Sequence, residues 1–261
     1  MQFSTALIRL LSVWFTLGFA ASGVSAPEQA PQFDVASVKL VKGPVAPHGV
    51  SLIISHGKLT VEAGQLRQII GLAYGIQRVL VQGCPDWCDE DMFDIVAKTD
   101  NVDATRDQIR PMLQTLLAER FKLAAHRTTK EVQGYSLAVA KGGAKLPVAK
   151  DEPGATNVFT PVPGGLQFGN MALVGLVNYL ANILGQPVRD TTGLTGHYNF
   201  SLDFRPRNGG QDPAREQAPQ AQDVVGMVSA AVEDQLGLKL MPGKVSTGIL
   251  IIDHAEHPSE N

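Results

Sequence analysis

The residues that could do chemistry gather in two places. The first is the run GCPDWCDED at 83–91, which holds the only cysteines, Cys84 and Cys88, among Asp86, Asp89, Glu90 and Asp91, with Asp94 just beyond. Two thiols this close can form a disulfide, act as a redox pair or stay free. Three residues separate them, not the two of thioredoxin-type motifs. A metal would need further ligands, and none is nearby in sequence. A ring closed around Pro85 would be a short local staple with a modest effect. The carboxylates are the oxygen ligands a hard cation takes. They lack the alternating Asp/Asn spacing and central glycine of a calcium loop, so a solvated loop is the better reading. Asp89 and Asp91 are its candidate polar site residues.

The second place is the histidines. His126 stands beside Arg127 as a candidate base or surface residue, but no Ser or Cys nucleophile can be assigned to it. His254 and His257 are three apart, a spacing that can meet a metal on a helix; Pro258 follows, and the segment reads as an exposed tail. In GLTGHY, around His197, the glycines Gly193 and Gly196 supply turn dihedrals. The chain carries no Gly-x-Ser-x-Gly elbow, His-Glu-x-x-His, phosphate-binding loop or dinucleotide fingerprint. Catalytic residues are therefore unassigned, and neither a cofactor nor a metal is expected.

Composition bounds the partners. The chain has 261 residues, 44% hydrophobic and 18% charged, which is enough apolar material for a sizeable core. Its net charge of -3 is mixed along the chain and forms no basic stripe, so nucleic acid is not an expected partner. Residues 1–26 have one positive charge, Arg9, then an apolar run and small residues, the order of a secretory signal peptide. No later stretch is long and apolar enough to span a bilayer. The expectation is a soluble, extracytoplasmic protein, periplasmic or secreted. An oxidising compartment makes a disulfide the default for Cys84 and Cys88.

The elements that must position these residues follow from periodicity. Residues 33–39, 51–54, 58–61, 79–82 and 93–98 read as strands, with a hairpin at His56-Gly57. Leu66, Ile69, Ile70 and Ala73 mark one helix face, which Gly75 stops. Thr105 to Gln108 has capping-box form before a second helix. Pro111 conflicts with that start, so the helix either begins near Ile109 or kinks. Residues 121–127 and 135–140 read as paired strands, 145–165 as a Pro/Gly-rich linker, and 248–253 as a closing strand.

The pattern then recurs. An offset of 107 carries Leu59, Val61 and the first helix face onto Leu166, Phe168 and the face Leu173, Leu176, Val177, Leu180; it carries Phe93 and Ile95 onto Phe200 and Leu202. An offset of 115 carries Ile109, Leu113 and Phe121 onto Val224, Val228 and Leu236. The expected fold class is α+β, with two tandem duplicated units, each a small, mainly antiparallel sheet with two helices. The boundaries are a signal peptide at 1–26, a first unit at 27–146, a linker at 147–165 and a second unit at 166–261 with a flexible insertion at 205–222.

The runs FDVASVK, LRQIIGLAYGI, PDW with FDIVAK, MLQTLLAERFKLAAHR, YSLAVAKGG, DTTGLTG and IIDHAEHPSEN resemble, in this order, the soil-associated family of exported bacterial proteins, defined by a domain of unknown function. The resemblance covers nearly all of the chain after the leader. It implies export, and no established activity, cofactor or catalytic residue. A related domain is appended to membrane metallopeptidase sensors of the β-lactam-receptor type, which implies an extracytoplasmic sensing or binding role. Cys84, Cys88 and His257 depart from the family pattern, so no shared function is expected of them. The ending EDQLGLKL…GILIID is similar to the short N-terminal domain of secretins and TonB-dependent transporters, a likeness of fold alone.

Two functions follow as expectations. One is a non-catalytic binding, sensing or interaction module whose partner is a protein or small molecule outside the cytoplasm. The other is an enzyme acting on envelope or extracellular material, with His126 or the acidic loop in its site.

Overall fold

Where the sequence alternates, the chain is strand, and where it repeats every 3.6 residues, it is helix. This holds through a computed structural model that describes residues 30–43, 51–150, 158–205 and 221–258. The expected leader at 1–26 and nearly all of the insertion at 205–222 lie outside the described residues. β1 (Val35–Leu40) turns Val38 inward. β2 (Ser51–Ser55) and β3 (Lys58–Gln65) form the hairpin, with φ of 50° at His56 and 66° at Gly57. A Cβ at Gly57 would lie 2.5 Å from the Asn101 carbonyl oxygen, so only glycine fits this turn. α1 (Leu66–Tyr74) buries Leu66, Ile69, Ile70 and Ala73 and ends on left-handed Gly75.

The strand expected at 79–82 is cut short: Arg78–Leu80 form a 3-10 turn and only β4 (Val81–Gln82) is strand, followed by α2 (Trp87–Glu90), β5 (Met92–Lys98) and α3 (Arg106–Phe121). In α3 the Thr105 N–H donates to Gln108 Oε1 at 2.9 Å, so the helix starts at the cap and Pro111 lies inside it. Proline here leaves the Asp107 carbonyl without its helical donor. Asp107 is in the exposed first turn, where water can serve instead.

The second half adds β6 (Ala124–Val139), β7 (Val158–Val162), β8 (Gly165–Ala172), α4 (Leu173–Leu184), β9 (Val188–Asp190), β10 (His197–Asp203), α5 (Ala221–Leu236) and β11 (Leu238–His254). Three further expectations need correction. The strands expected at 121–127 and 135–140 are one strand, β6, because Thr128, Thr129 and Val132 carry β-structure through the gap and β11 supplies a partner along its length. β11 likewise begins ten residues before the expected 248. Its Pro242 is tolerated because the opposing Tyr135 gives its N–H to Pro187 on the other side. Pro242 and Tyr135 are thus a non-hydrogen-bonded pair, and the proline nitrogen faces an open edge. Finally, the stretch read as linker contains β7, because Phe159 packs on Phe168 and Tyr179.

The class is mixed α+β with mainly antiparallel pairing, as expected. The sheets run β1-β5-β3-β2, β10-β8-β7 and β4-β11-β6-β9. The described residues from 31 onward form one compact unit. It has two apolar cores: α1 and α3 cover the first, α4 and α5 the second. β11 starts in the second core with Leu238 and Leu240 and ends in the first with Leu250 and Ile252. β6 leaves α3 beside the first core and buries Tyr135 and Leu137 in the second. β4 pairs with the end of β11, Leu250 opposite Val81, and β9 with the end of β6, Tyr135 opposite Val188.

Candidate functional site

The loop between β4 and β5 is built as a closed knot. Cys84 and Cys88 are joined, their Cα atoms 6.2 Å apart, and the Cys88 N–H donates to the Pro85 carbonyl. Cys88 is buried in the first core. Asp89 sits between two guanidinium groups: Arg67 Nε donates to its Oδ2 at 2.7 Å and Arg78 Nη2 to its Oδ1 at 2.8 Å. Arg67 also donates to the Val81 carbonyl, binding α1 to β4. Burial pushes the Asp89 carboxyl up, but the hydrogen bonds and charges of Arg78 and Arg67 outweigh it and hold the group below its ordinary value. A carboxylate held this way stays ionised and is poorly suited to proton transfer.

Asp91 and the chain end complete the knot. The Glu256 N–H donates to the Phe121 carbonyl at 2.7 Å. This brings the His257 ring onto Trp87, with centroids 4.1 Å apart, and its Nε2 within 2.7 Å of Asp91 Oδ2. Trp87 meets Phe93 edge-on beneath. His254 and His257 are exposed, as expected, at 54% and 51%, but the segment is docked, because Trp87 offers His257 an apolar face. His254 turns to Glu256, so the two histidines point to different carboxylates. Among the described residues no three His, Cys, Asp or Glu side chains are arranged to hold a metal ion.

His126 lies elsewhere on the ladder. Its Nδ1 is 2.8 Å from Asp253 Oδ2 across β6 and β11, and both side chains are exposed. The adjacent Arg127 donates to the Tyr74 carbonyl and lies over the Tyr74 ring, 5.9 Å from its centroid. Among the described residues, no hydrogen bond or ion pair joins His126 to Asp89 or Asp91. Of the residues singled out in the sequence, Cys84, Cys88, Asp89 and Asp91 share one loop and His126 does not join them.

A second place was missed in the sequence. The outward face of sheet β1-β5-β3-β2 carries Val35, Lys98, Lys58 and Ser55 in one row and Ser37, Val96, Thr60 and Ile53 in the next. Val35, Val96 and Ile53 are exposed by 68%, 37% and 53%, apolar side chains spread over these two rows between Lys98 and Thr60. Ile53, Ser55, His56, Lys58, Thr60 and Lys98 line a groove of about 390 Å³ on this face. Strand alternation turns the strand residues among these outward and the hairpin turn adds His56, but which strands lie side by side is set only by pairing. Arg67, Arg78 and Trp87 were missed for the same reason: their partners are distant in sequence or unknowable from spacing.

Comparison with curated proteins and with solved structures finds no match for the chain. A family profile matches residues 67–255, from the arginine that grips Asp89 to the residue after His254; it takes in the second core, the disulfide loop and the first core except for what β1, β3 and Leu66 contribute to it. On that match, over more than half its length, the chain belongs to the DUF3738 family, described as a protein of unknown function.

Proposed function

We propose that this chain is an exported, non-catalytic binding module built from two copies of one α+β unit. The observation that carries the binding reading is the outward face of sheet β1-β5-β3-β2, where Val35, Val96 and Ile53 stand exposed beside a lysine-lined groove. Apolar side chains grouped on one face mark interaction surfaces more often than isolated ones do. The loop candidates are better read as scaffold, because Asp89 is engaged by two arginines, Asp91 faces His257, and both cysteines are bonded. The leader-like 1–26 and the cysteine pair support export.

Several local matches support the duplication. The hairpin glycines Gly57 and Gly164 are 107 apart and both left-handed, with φ of 66° and 78°. Ala63 and Asn170, also 107 apart, have φ of 51° and 49°. Each gives its N–H to a side-chain oxygen at 2.8 Å, from Asp94 and Asn199 respectively. Lys122 and Gly237, 115 apart, are both left-handed at the ends of α3 and α5. Tyr135 opposite Val188 becomes Leu250 opposite Val81 under the same two offsets. One match shifts: Val61 faces Ile95, and Phe168 faces Phe200, so β5 relates to β10 by 105, and the counterpart of Phe93 is Tyr198. The slip is of two residues, which keeps inward residues inward.

The test is a ligand screen of the folded protein by thermal shift, run beside turnover assays on envelope polymers. A ligand whose binding is abolished by Val96→Glu or Ile53→Glu supports the reading. Turnover of an envelope substrate that is lost in His126→Ala overturns it in favour of the enzyme.

A further inference from the structure

We propose that the groove across β2, β3 and β5 is a binding site for the phosphoryl dianion of a small soluble molecule. This rests on the binding reading above and names its ligand class. Lys58 and Lys98 stand directly opposite each other on β3 and β5. Like charges in that position destabilise a sheet. The residues lining the groove include no carboxylate to offset them. Two lysines lining one groove match two negative charges, whereas a monocarboxylate would leave one cation uncompensated.

The surrounding groups suit the same ligand. Ser55 lies opposite Lys58, and Thr60 is next along the same face, so two hydroxyls flank the cations. Ser55 Oγ is 2.7 Å from His56 Nδ1; in the tautomer where the hydroxyl donates to Nδ1, the Nε2–H is the donor left for a ligand oxygen. The turn holding His56 is itself clamped, because the Thr99 N–H donates to the Gly57 carbonyl at 2.9 Å. Ile53 supplies an apolar wall for the carrier of the phosphoryl group. The fold does not demand these residues. In the second half, Gly165, Gln167 and Asp203 take the places of Lys58, Thr60 and Lys98 under the offsets above.

The experiment titrates the full chain, at constant ionic strength, with inorganic phosphate, glycerol phosphate, acetate and vesicles containing phosphatidic acid, followed by amide chemical shifts. The expected result is saturable shifts at Lys58, Thr60 and Lys98 with both soluble phosphates and none with acetate. Lys98→Gln should weaken binding by about tenfold or more, and Lys244→Gln, on the distant ladder, should leave it unchanged. Lys58→Gln should match Lys98→Gln; if it misfolds by circular dichroism, Lys98→Gln decides. No saturation with phosphate, equal response to acetate, no effect of Lys98→Gln, or binding to vesicles alone overturns the proposal. If phosphate fails while another ligand binds the sheet face, only the ligand class falls. If turnover depends on His126, the binding reading falls whatever phosphate does.

Discussion

The imidazole of His257 lies on the indole of Trp87, ring centroids 4.1 Å apart and planes 29° from parallel, and so ties the chain end to the disulfide loop. An aromatic pair of this kind contributes about 0.5–1.5 kcal/mol beyond its buried area. Trp87→Ala should therefore release residues 255–258 and speed amide exchange at Glu256, whose N–H bonds the Phe121 carbonyl. His257→Ala should do so more weakly. Exchange at Glu256 unchanged in Trp87→Ala would show that the backbone bond alone holds the segment.

Asp89 links α1, the 3-10 turn and α2, and its charge makes that link acid-sensitive. Its folded-state pKa lies below the ordinary 3.8, so its contribution is fully present above that value. It is lost as pH falls through the lower folded-state value. Melting temperature should drop on acidification below about pH 4. Asp89→Asn should melt lower at pH 7 and vary less between pH 5 and 2. Parallel acid profiles for the two proteins would remove Asp89 from the account.

The strands β6 and β11 tie both cores to one ladder. Leu250 and Leu238 are each fully buried, one in each core. Leu250→Ala and Leu238→Ala should each cost about 2–5 kcal/mol. Because one strand carries both, each should lower a single cooperative transition in denaturant melts. Two resolved transitions, with each variant moving only its own, would mean that the halves unfold independently.

Ala63 occupies left-handed backbone at φ 51°, a region that favours glycine. Ala63→Gly should raise stability by up to about 1 kcal/mol, since the relieved strain exceeds the added chain entropy. Asn170→Gly should gain less, because asparagine tolerates this conformation. Asp94→Ala should destabilise, since Asp94 Oδ1 accepts the Ala63 N–H at 2.8 Å. Thermal melts of the three variants check this; a loss in Ala63→Gly would contradict it.

The periodicity of the chain was enough to locate α1, its glycine stop and the β2–β3 hairpin, while Pro111 left the start of α3 open between Thr105 and Ile109 until the structure placed the cap at Thr105. Each depends on residues within a few positions of one another, and local sterics and hydrogen bonding decide it. The recurrence of apolar spacing at offsets of 107 and 115 is a property of the sequence itself. Long β6 was not legible there, since Gly134 and a polar run resemble a turn until β11 is there to pair with them.

The sequence by itself determined the class of fold, the inward-facing residues and the nearness of Cys84, Cys88, Asp89 and Asp91. Only the tertiary structure decided what those residues do. Arg67 reaches Asp89 across 22 positions and Asp91 meets His257 across 166, and contacts that far apart depend on packing, which no local pattern encodes. The lysine pair was hidden for the same reason. Both stand on strands whose alternation turns them outward, and the register of β3 against β5 puts them opposite each other in one groove.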